Sequence, residues 1–187
     1  KSCTYDKNSV INKDMSKPLV IVESPTKVKT ISKILGSEYI VKSSVGHIRD
    51  LPRNTKAIPA NFSNKKIYWG AVKPNYENIY VIPDDRKKIV NELKEFADNA
   101  PDVFLATDDD REGEAIAYHL KESLELKIEP KRIKFNEITE AAVTNAINNP
   151  ETIDIGKFKS YEARRTLDRM IGYEISPKVR DLGGAFI

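Results

Sequence analysis

Two uninterrupted apolar runs constrain this chain most: Leu19-Val20-Ile21-Val22 and Val103-Phe104-Leu105-Ala106. A strand with one wet face alternates apolar and polar residues. A run that is apolar at every position suits a strand buried on both faces, as in a parallel sheet. Ser24-Pro25 follows the first run. Serine accepts hydrogen bonds from the first turn of a helix, and proline is at home in the first helical position. The spacing of Val28, Ile31, Ile34 and Leu35 predicts a helix over 25–35, with Gly36 as its stop.

The same alternation continues. Tyr39–Ser43 and Ile79–Ile82 read as strands, and Asp84 or Asp85 as the cap of a helix burying Ile89, Val90, Leu93 and Phe96. A helix is expected over Gly113–Leu124, a short strand over Arg132–Phe135, and a helix capped by Thr139 that ends near Pro150. A basic helical segment then runs from about Ile155 to Ile175 and stops at Pro177. The stretch Asn54–Asn78 is polar and mixed and carries no assignment. Residues 1–16 are polar and aperiodic and read as a mobile tail. Repeated strand–helix alternation argues for an α/β domain with a mostly parallel, Rossmann-like sheet flanked by helices.

The second apolar run leads straight into Asp108-Asp109-Asp110-Arg111-Glu112-Gly113-Glu114. Ligands of parallel sheets bind beyond the carboxyl ends of the strands. In extended backbone, side chains alternate, so Asp108, Asp110 and Glu112 can share a face. Carboxylates packed together repel, and a divalent cation relieves that repulsion. All-oxygen ligands with room left for a phosphate favour Mg²⁺. Favourable placement at a helix N-terminus accounts for one or two of these acids, but not for five in seven residues. An EF-hand is excluded, because the position of its last ligand is His119. Glu23 ends the first apolar run in the same way, and adjacent strands would set it beside this cluster. Lys27, one helical turn on, suits a phosphate.

Net charge is only +3 over 187 residues, so distribution matters more than the total. Residues 17–56 hold eight basic side chains against three acidic ones, and residues 157–180 hold seven against three. Two basic segments flanking an acidic knot suit a polyanion and its metal. A single cysteine, Cys3, excludes an intrachain disulfide and a cysteine-rich zinc site, and suits a reducing compartment. No apolar run approaches membrane-spanning length.

Five segments, in order, resemble the toprim domain of bacterial type IA DNA topoisomerases. They are Val22-Glu-Ser-Pro-Thr-Lys27, Ser44-Val-Gly-His-Ile-Arg-Asp-Leu-Pro52, Ala106-Thr-Asp-Asp-Asp-Arg-Glu-Gly-Glu-Ala-Ile-Ala117, Phe135-Asn-Glu-Ile-Thr139 and Ala163-Arg-Arg-Thr-Leu-Asp-Arg-Met-Ile-Gly-Tyr173. The likeness runs from about Lys17 to Pro177. A Glu with Asp-x-Asp also occurs in primases, type II topoisomerases and some nucleases; the second and fifth segments look particular to the type IA group.

The resemblance implies a toprim fold over 17–152 and the start of a helical DNA-binding domain over 153–187. It implies Glu23 as general acid for the leaving 3′ oxygen, Lys27 on the scissile phosphate, and Mg²⁺ on Asp108, Asp110 and Glu112. Arg165 and Arg169, spaced i, i+4, would face the DNA backbone; the alternative is a solvated basic face paired with Asp168. His47 stands between a catalytic role and a structural hydrogen bond. Implied partners are single-stranded DNA segments and the remaining domains of the same enzyme, with no membrane, in the bacterial cytoplasm at the nucleoid or in an organelle.

The family reaction runs through a 5′-phosphotyrosine. That tyrosine sits in a Tyr-x-Arg-Thr-Asp-Ser context, which none of the eight tyrosines here has. The chain therefore reads as a fragment, inactive alone in relaxing negatively supercoiled DNA. Two other readings stand beside it: a free-standing toprim nuclease or primase-like enzyme using activated water, and a non-enzymatic DNA-binding module.

Overall fold

The computed structural model describes residues 17–62, 67–68, 70–72, 75–135 and 137–181. The expected tail at 1–16 and the last six positions lie outside the described residues, as does part of the unassigned stretch 54–78.

Four parallel strands form the main sheet: β1 (Leu19–Val22), β2 (Ile40–Ser43), β6 (Val103–Ala106) and β7 (Lys131–Ile133), in spatial order β2-β1-β6-β7. Both apolar runs occupy its centre, and all eight of their residues are buried. Alternation sends Leu19, Ile21, Val103 and Leu105 to one face and Val20, Val22, Phe104 and Ala106 to the other. The first face is covered by α2 (Asp84–Asn99) and α3 (Arg111–Leu124), through Val90, Leu93, Ile116 and Leu120. The second is covered by α1 (Pro25–Leu35) and α4 (Glu140–Asn148), through Ile31, Val143 and Ala146. Leu105 is completely buried, and truncation of such a leucine to alanine typically costs about 2–5 kcal/mol.

From β1 the chain steps outward to β2, and from β6 it steps the other way to β7. The strand order therefore reverses between β1 and β6. In open α/β sheets the crevice at such a reversal, beyond the carboxyl ends of the strands, is where ligands bind. Val22 and Ala106 are register partners, so Glu23 and Thr107 leave the sheet side by side.

Three helix starts follow from short polar side chains. Ser24 caps α1 by accepting the Lys27 N–H at 3.4 Å, with Pro25 next. Thr139 caps α4 by accepting the Ala142 N–H at 3.3 Å. The start of α2 departs from expectation: Pro83 takes the cap position, and Asp84 and Asp85 lie in the first turn. There they complement the helix dipole. Gly36, at φ 62, ends α1 in a conformation that L side chains rarely adopt.

Three differences concern strands and the last helix. Residues 79–82 contribute only the bridge between Val81 and Asp50, since this segment lies along the loop after β2 and outside the main sheet. The residues just before it form a small antiparallel sheet of two-residue strands, β3 (Ile67–Tyr68), β4 (Ala71–Val72) and β5 (Glu77–Asn78). Strands this short carry no readable period. Pro177 does not end the last helical segment: α5 (Ile155–Met170) passes through a π-turn at 171–175 into α6 (Ser176–Asp181). The wider turn, closed by the Ser176 N–H on the Ile171 carbonyl, lets the chain keep coiling past a residue without an N–H.

Candidate metal and nucleic-acid site

Glu23, Lys27 and Asp108 meet at the point where the strand order reverses. The Lys27 ammonium donates to Glu23 Oε1 and to Asp108 Oδ1, each at 2.5 Å. Ser24 starts α1 immediately after β1, so the third residue of the helix swings back over the strand ends. Partial burial alone would lower the Lys27 pKa, but the hydrogen bonds and charges of Asp108 and Glu23 outweigh it and hold the ammonium above its ordinary value. For Asp108, partial burial pushes upward, and the Lys27 and Glu23 contacts with the charges of Lys27 and Arg132 bring the carboxyl below the usual range.

The other acids of the run go separate ways. Asp109 turns to α5, with Lys157 at 2.6 Å and Lys134 at 3.8 Å. Asp110 is the N-cap of α3, its Oδ1 accepting the Gly113 N–H at 2.7 Å. The helix therefore starts at Arg111, two residues earlier than the apolar spacing suggests. Glu112 lies in its first turn, with its side chain 68 % exposed and Oε1 3.5 Å from His47 Nε2. Strand-like alternation thus holds as far as Asp110 and does not reach Glu112. Among the described residues, no three His, Cys, Asp or Glu side chains form a group that could hold a metal ion as they stand.

His47 stacks on Tyr161, ring centroids 5.4 Å apart at 18°. Burial lowers its pKa against the opposing pull of Glu112. The loop that carries it is held to the strand ends: Ser44 N–H donates to the Val22 carbonyl at 2.9 Å and Gly46 N–H to the Glu23 carbonyl at 2.7 Å.

Arg165 and Arg169 share a face of α5, but both reach back to this loop. Arg165 binds Asp50 through both ends of its fork, and Arg169 donates to the carbonyls of Leu51 and Pro52 at 3.3 Å each. Asp168 pairs with Arg164 at 3.8 Å. Asp110, Arg111, Glu112, Tyr161, Arg164, Arg165 and Asp168 line one polar cleft of about 450 Å³. The structure thus brings Glu23, Lys27 and Asp108 into one contact, and Asp110, Glu112, Arg165 and Asp168 into the cleft. Arg169 turns toward the loop.

Two residues that the sequence does not single out underlie the arrangement. Glu114 and Arg132 are both 0 % exposed and pair at 3.2 Å beneath the acidic run. The available signal is slight: Glu114 falls three residues before the inward-facing Ala117, and Arg132 sits in a strand with buried Ile133.

A family model described as Toprim domain matches residues 18–138. DNA topoisomerase 1 of Mycolicibacterium smegmatis is 49 % identical over 163 residues, covering 85 % of this chain and 17 % of that protein. DNA topoisomerase 1 of Synechocystis is 46 % identical over 167 residues, covering 87 % and 18 %. Among solved structures, full-length topoisomerase I from Thermotoga maritima superposes with a TM-score of 0.72 at 38 % identity, covering 86 % of this chain and 26 % of that one. The chain spans under a fifth of the length of these curated relatives.

Proposed function

This chain belongs to the toprim-domain family, and from that premise we propose that it is the acid- and metal-bearing portion of a type IA DNA topoisomerase. The reaction is cleavage and rejoining of one DNA strand through a 5′-phosphotyrosine, which relaxes negative supercoils. The tyrosine comes from a segment outside this sequence. The observation that carries this reading is the junction of Glu23, Lys27 and Asp108 at the carboxyl ends of two adjacent parallel strands.

Each role follows from position. When the tyrosine oxygen bonds to phosphorus, the P–O bond to the 3′ oxygen breaks, and that oxygen needs a proton. Glu23 is the acid in place to supply it, and it takes the proton back on rejoining. Lys27, in the first turn of α1, sets an ammonium where a phosphate also meets the N–H groups of the helix start. The donors fit Mg²⁺: Asp108, Asp110 and Glu112 offer oxygen only, and Asp108 and Glu112 are well exposed, at 52 % and 68 %. When bound, the ion supplies positive charge that holds the two strand ends together for rejoining.

Arg165 and Arg169 are read as contacts to the backbone of single-stranded DNA, with Asp168 holding its neighbour Arg164. His47 serves chiefly to fix the loop and Glu112, as its stacking on Tyr161 supports. Residues 17–152 form the toprim unit, and residues 153–187 begin a helical DNA-binding unit. The stacking of Phe158 on Tyr118, ring centroids 3.8 Å apart, supports firm docking of the second on the first. No helix among the described residues is long and apolar enough to cross a membrane, and we place the enzyme with the DNA in the bacterial cytoplasm.

The test uses this chain alone with single-stranded and supercoiled DNA in Mg²⁺. The expected result is salt-dependent binding without cleavage. Cleavage abolished by Asp108→Asn would overturn the proposal and make the chain a free-standing nuclease.

A further inference from the structure

A buried ion pair is an uncommon way to stabilise a core. Taking two charges out of water is costly, and apolar residues of similar volume often serve as well or better. The pair of Glu114 and Arg132 is completely buried, so its value is sought in what it holds in place.

Arg132 spends its donors on the backbone that leads into the acidic run. Nη1 reaches the carbonyls of Leu105 at 3.2 Å, Thr107 at 3.0 Å and Ile133 at 2.5 Å. Nη2 reaches the carbonyl of Asp108 at 2.8 Å, and Nε faces Glu114 Oε2. The other oxygen of Glu114 accepts the Asp154 N–H at 2.6 Å, and Asp154 is the N-cap of α5. One carboxylate therefore joins the backbone under Asp108 to the start of the helix that bears Arg164, Arg165 and Arg169. The fit is close at a third point. A Cβ on Gly113 would lie 2.2 Å from the Asp108 carbonyl oxygen, so the run folds directly onto the helix start.

We infer that Glu114, acting through Arg132 and the Asp154 N–H, is the positioning residue that fixes the acidic run and α5 relative to each other. It touches no reacting atom. It sets where the Asp108 side chain emerges beside Lys27, and how far the arginine-bearing helix stands from it. This role rests on the reading of Asp108 as part of the reaction site, whereas the positioning itself is a property of the backbone and can be measured without activity.

The experiment compares the full chain with the double variant Glu114→Met, Arg132→Met and with the single variant Glu114→Gln. Amide hydrogen exchange is followed by mass spectrometry. The double variant removes both charges together and leaves neither buried alone. Glu114→Gln keeps the size and an acceptor for Asp154, so it serves if the double variant does not fold. The expected result is exchange at least ten-fold faster over 107–112 and over 153–157, with 103–106 and 116–124 unchanged. Each variant is then joined with the tyrosine-bearing remainder of the enzyme, where relaxation is expected to fall at least ten-fold at unchanged thermal midpoint.

Unchanged exchange over both segments, or exchange that rises uniformly across the chain, overturns the inference. Failure of the wild-type chain to relax DNA with the remainder would count against the topoisomerase reading and leave the exchange result to decide the positioning.

Discussion

Arg165 grips Asp50 with both arms of its guanidinium, Nε to Oδ1 at 3.1 Å and Nη2 to Oδ2 at 2.5 Å, across 115 residues of sequence. A bidentate carboxylate occupies the same fork geometry that a phosphate would use. An arginine that binds the DNA backbone must therefore exchange Asp50 for phosphate. Asp50→Asn weakens that competition without changing size. For single-stranded DNA, the slope of log affinity against log salt should steepen by about 0.7, the value of one further phosphate contact. A slope equal to that of the parent chain would show that Arg165 serves the loop alone.

Asp110 accepts the Gly113 N–H as the N-cap of α3. Asparagine caps as well as aspartate does, whereas alanine does not, at a typical cost of about 1 kcal/mol. Asp108→Asn with Asp110→Asn should therefore melt like the parent chain while losing Mg²⁺ affinity in titration calorimetry. Asp110→Ala should lower stability by about that 1 kcal/mol. Unchanged Mg²⁺ affinity in the double asparagine variant would refute the metal assignment.

These two cases show what was legible in the sequence. The central strands were, because an unbroken apolar run is unusual outside a sheet buried on both sides. The starts of α1 and α4 were, because Ser24 and Thr139 are short oxygen-bearing side chains directly before a helical period. Glu23 beside Asp108 followed from adjacent strands alone. Contacts between distant residues were not legible. Arg165 and Arg169 announce a shared face, but nothing in their spacing names Asp50 and Leu51 as its occupants. Glu114 reads as one more acid in the first turn of a helix, since burial and a partner 18 residues away leave no periodic trace. Residues 79–82 have the composition of a strand, and only tertiary packing limits them to one bridge at Val81.

His119 is completely buried in a ring of aromatic side chains that includes Tyr80, Phe158 and Tyr161. Burial, helped by the nearby charge of Arg49, pushes its pKa down to about 3. The unfolded chain takes up a proton near the ordinary histidine value of about 6.5, while the folded chain does not until near that lower value. Stability should thus fall as pH drops below about 6.5, and this loss should saturate near the folded value. Between pH 7 and pH 5 the loss is about 2 kcal/mol. Denaturant unfolding of His119→Phe should lack this component. An equal loss in both proteins would place the acid sensitivity elsewhere.

Gly113 has no room for a side chain, because a Cβ would lie 2.2 Å from the Asp108 carbonyl oxygen and 2.9 Å from its nitrogen. Both obstacles are backbone. Alanine is the better helix former, so Gly113→Ala would stabilise an isolated helix. In this fold it should instead lower stability by about 1–3 kcal/mol, the usual cost of overpacking, and displace the acidic run. A higher thermal midpoint in that variant would contradict the close packing of the loop on α3.

The most direct test of the central claim is relaxation of negatively supercoiled DNA in Mg²⁺ by this chain combined with the tyrosine-bearing remainder of the enzyme. The parent chain should restore relaxation that neither part performs alone, and Glu23→Ala should reduce it at least ten-fold, or about 1.4 kcal/mol in the barrier. Full relaxation with Glu23→Ala, or none with the parent chain, would contradict the assignment of Glu23, Lys27 and Asp108 as the acid side of a topoisomerase.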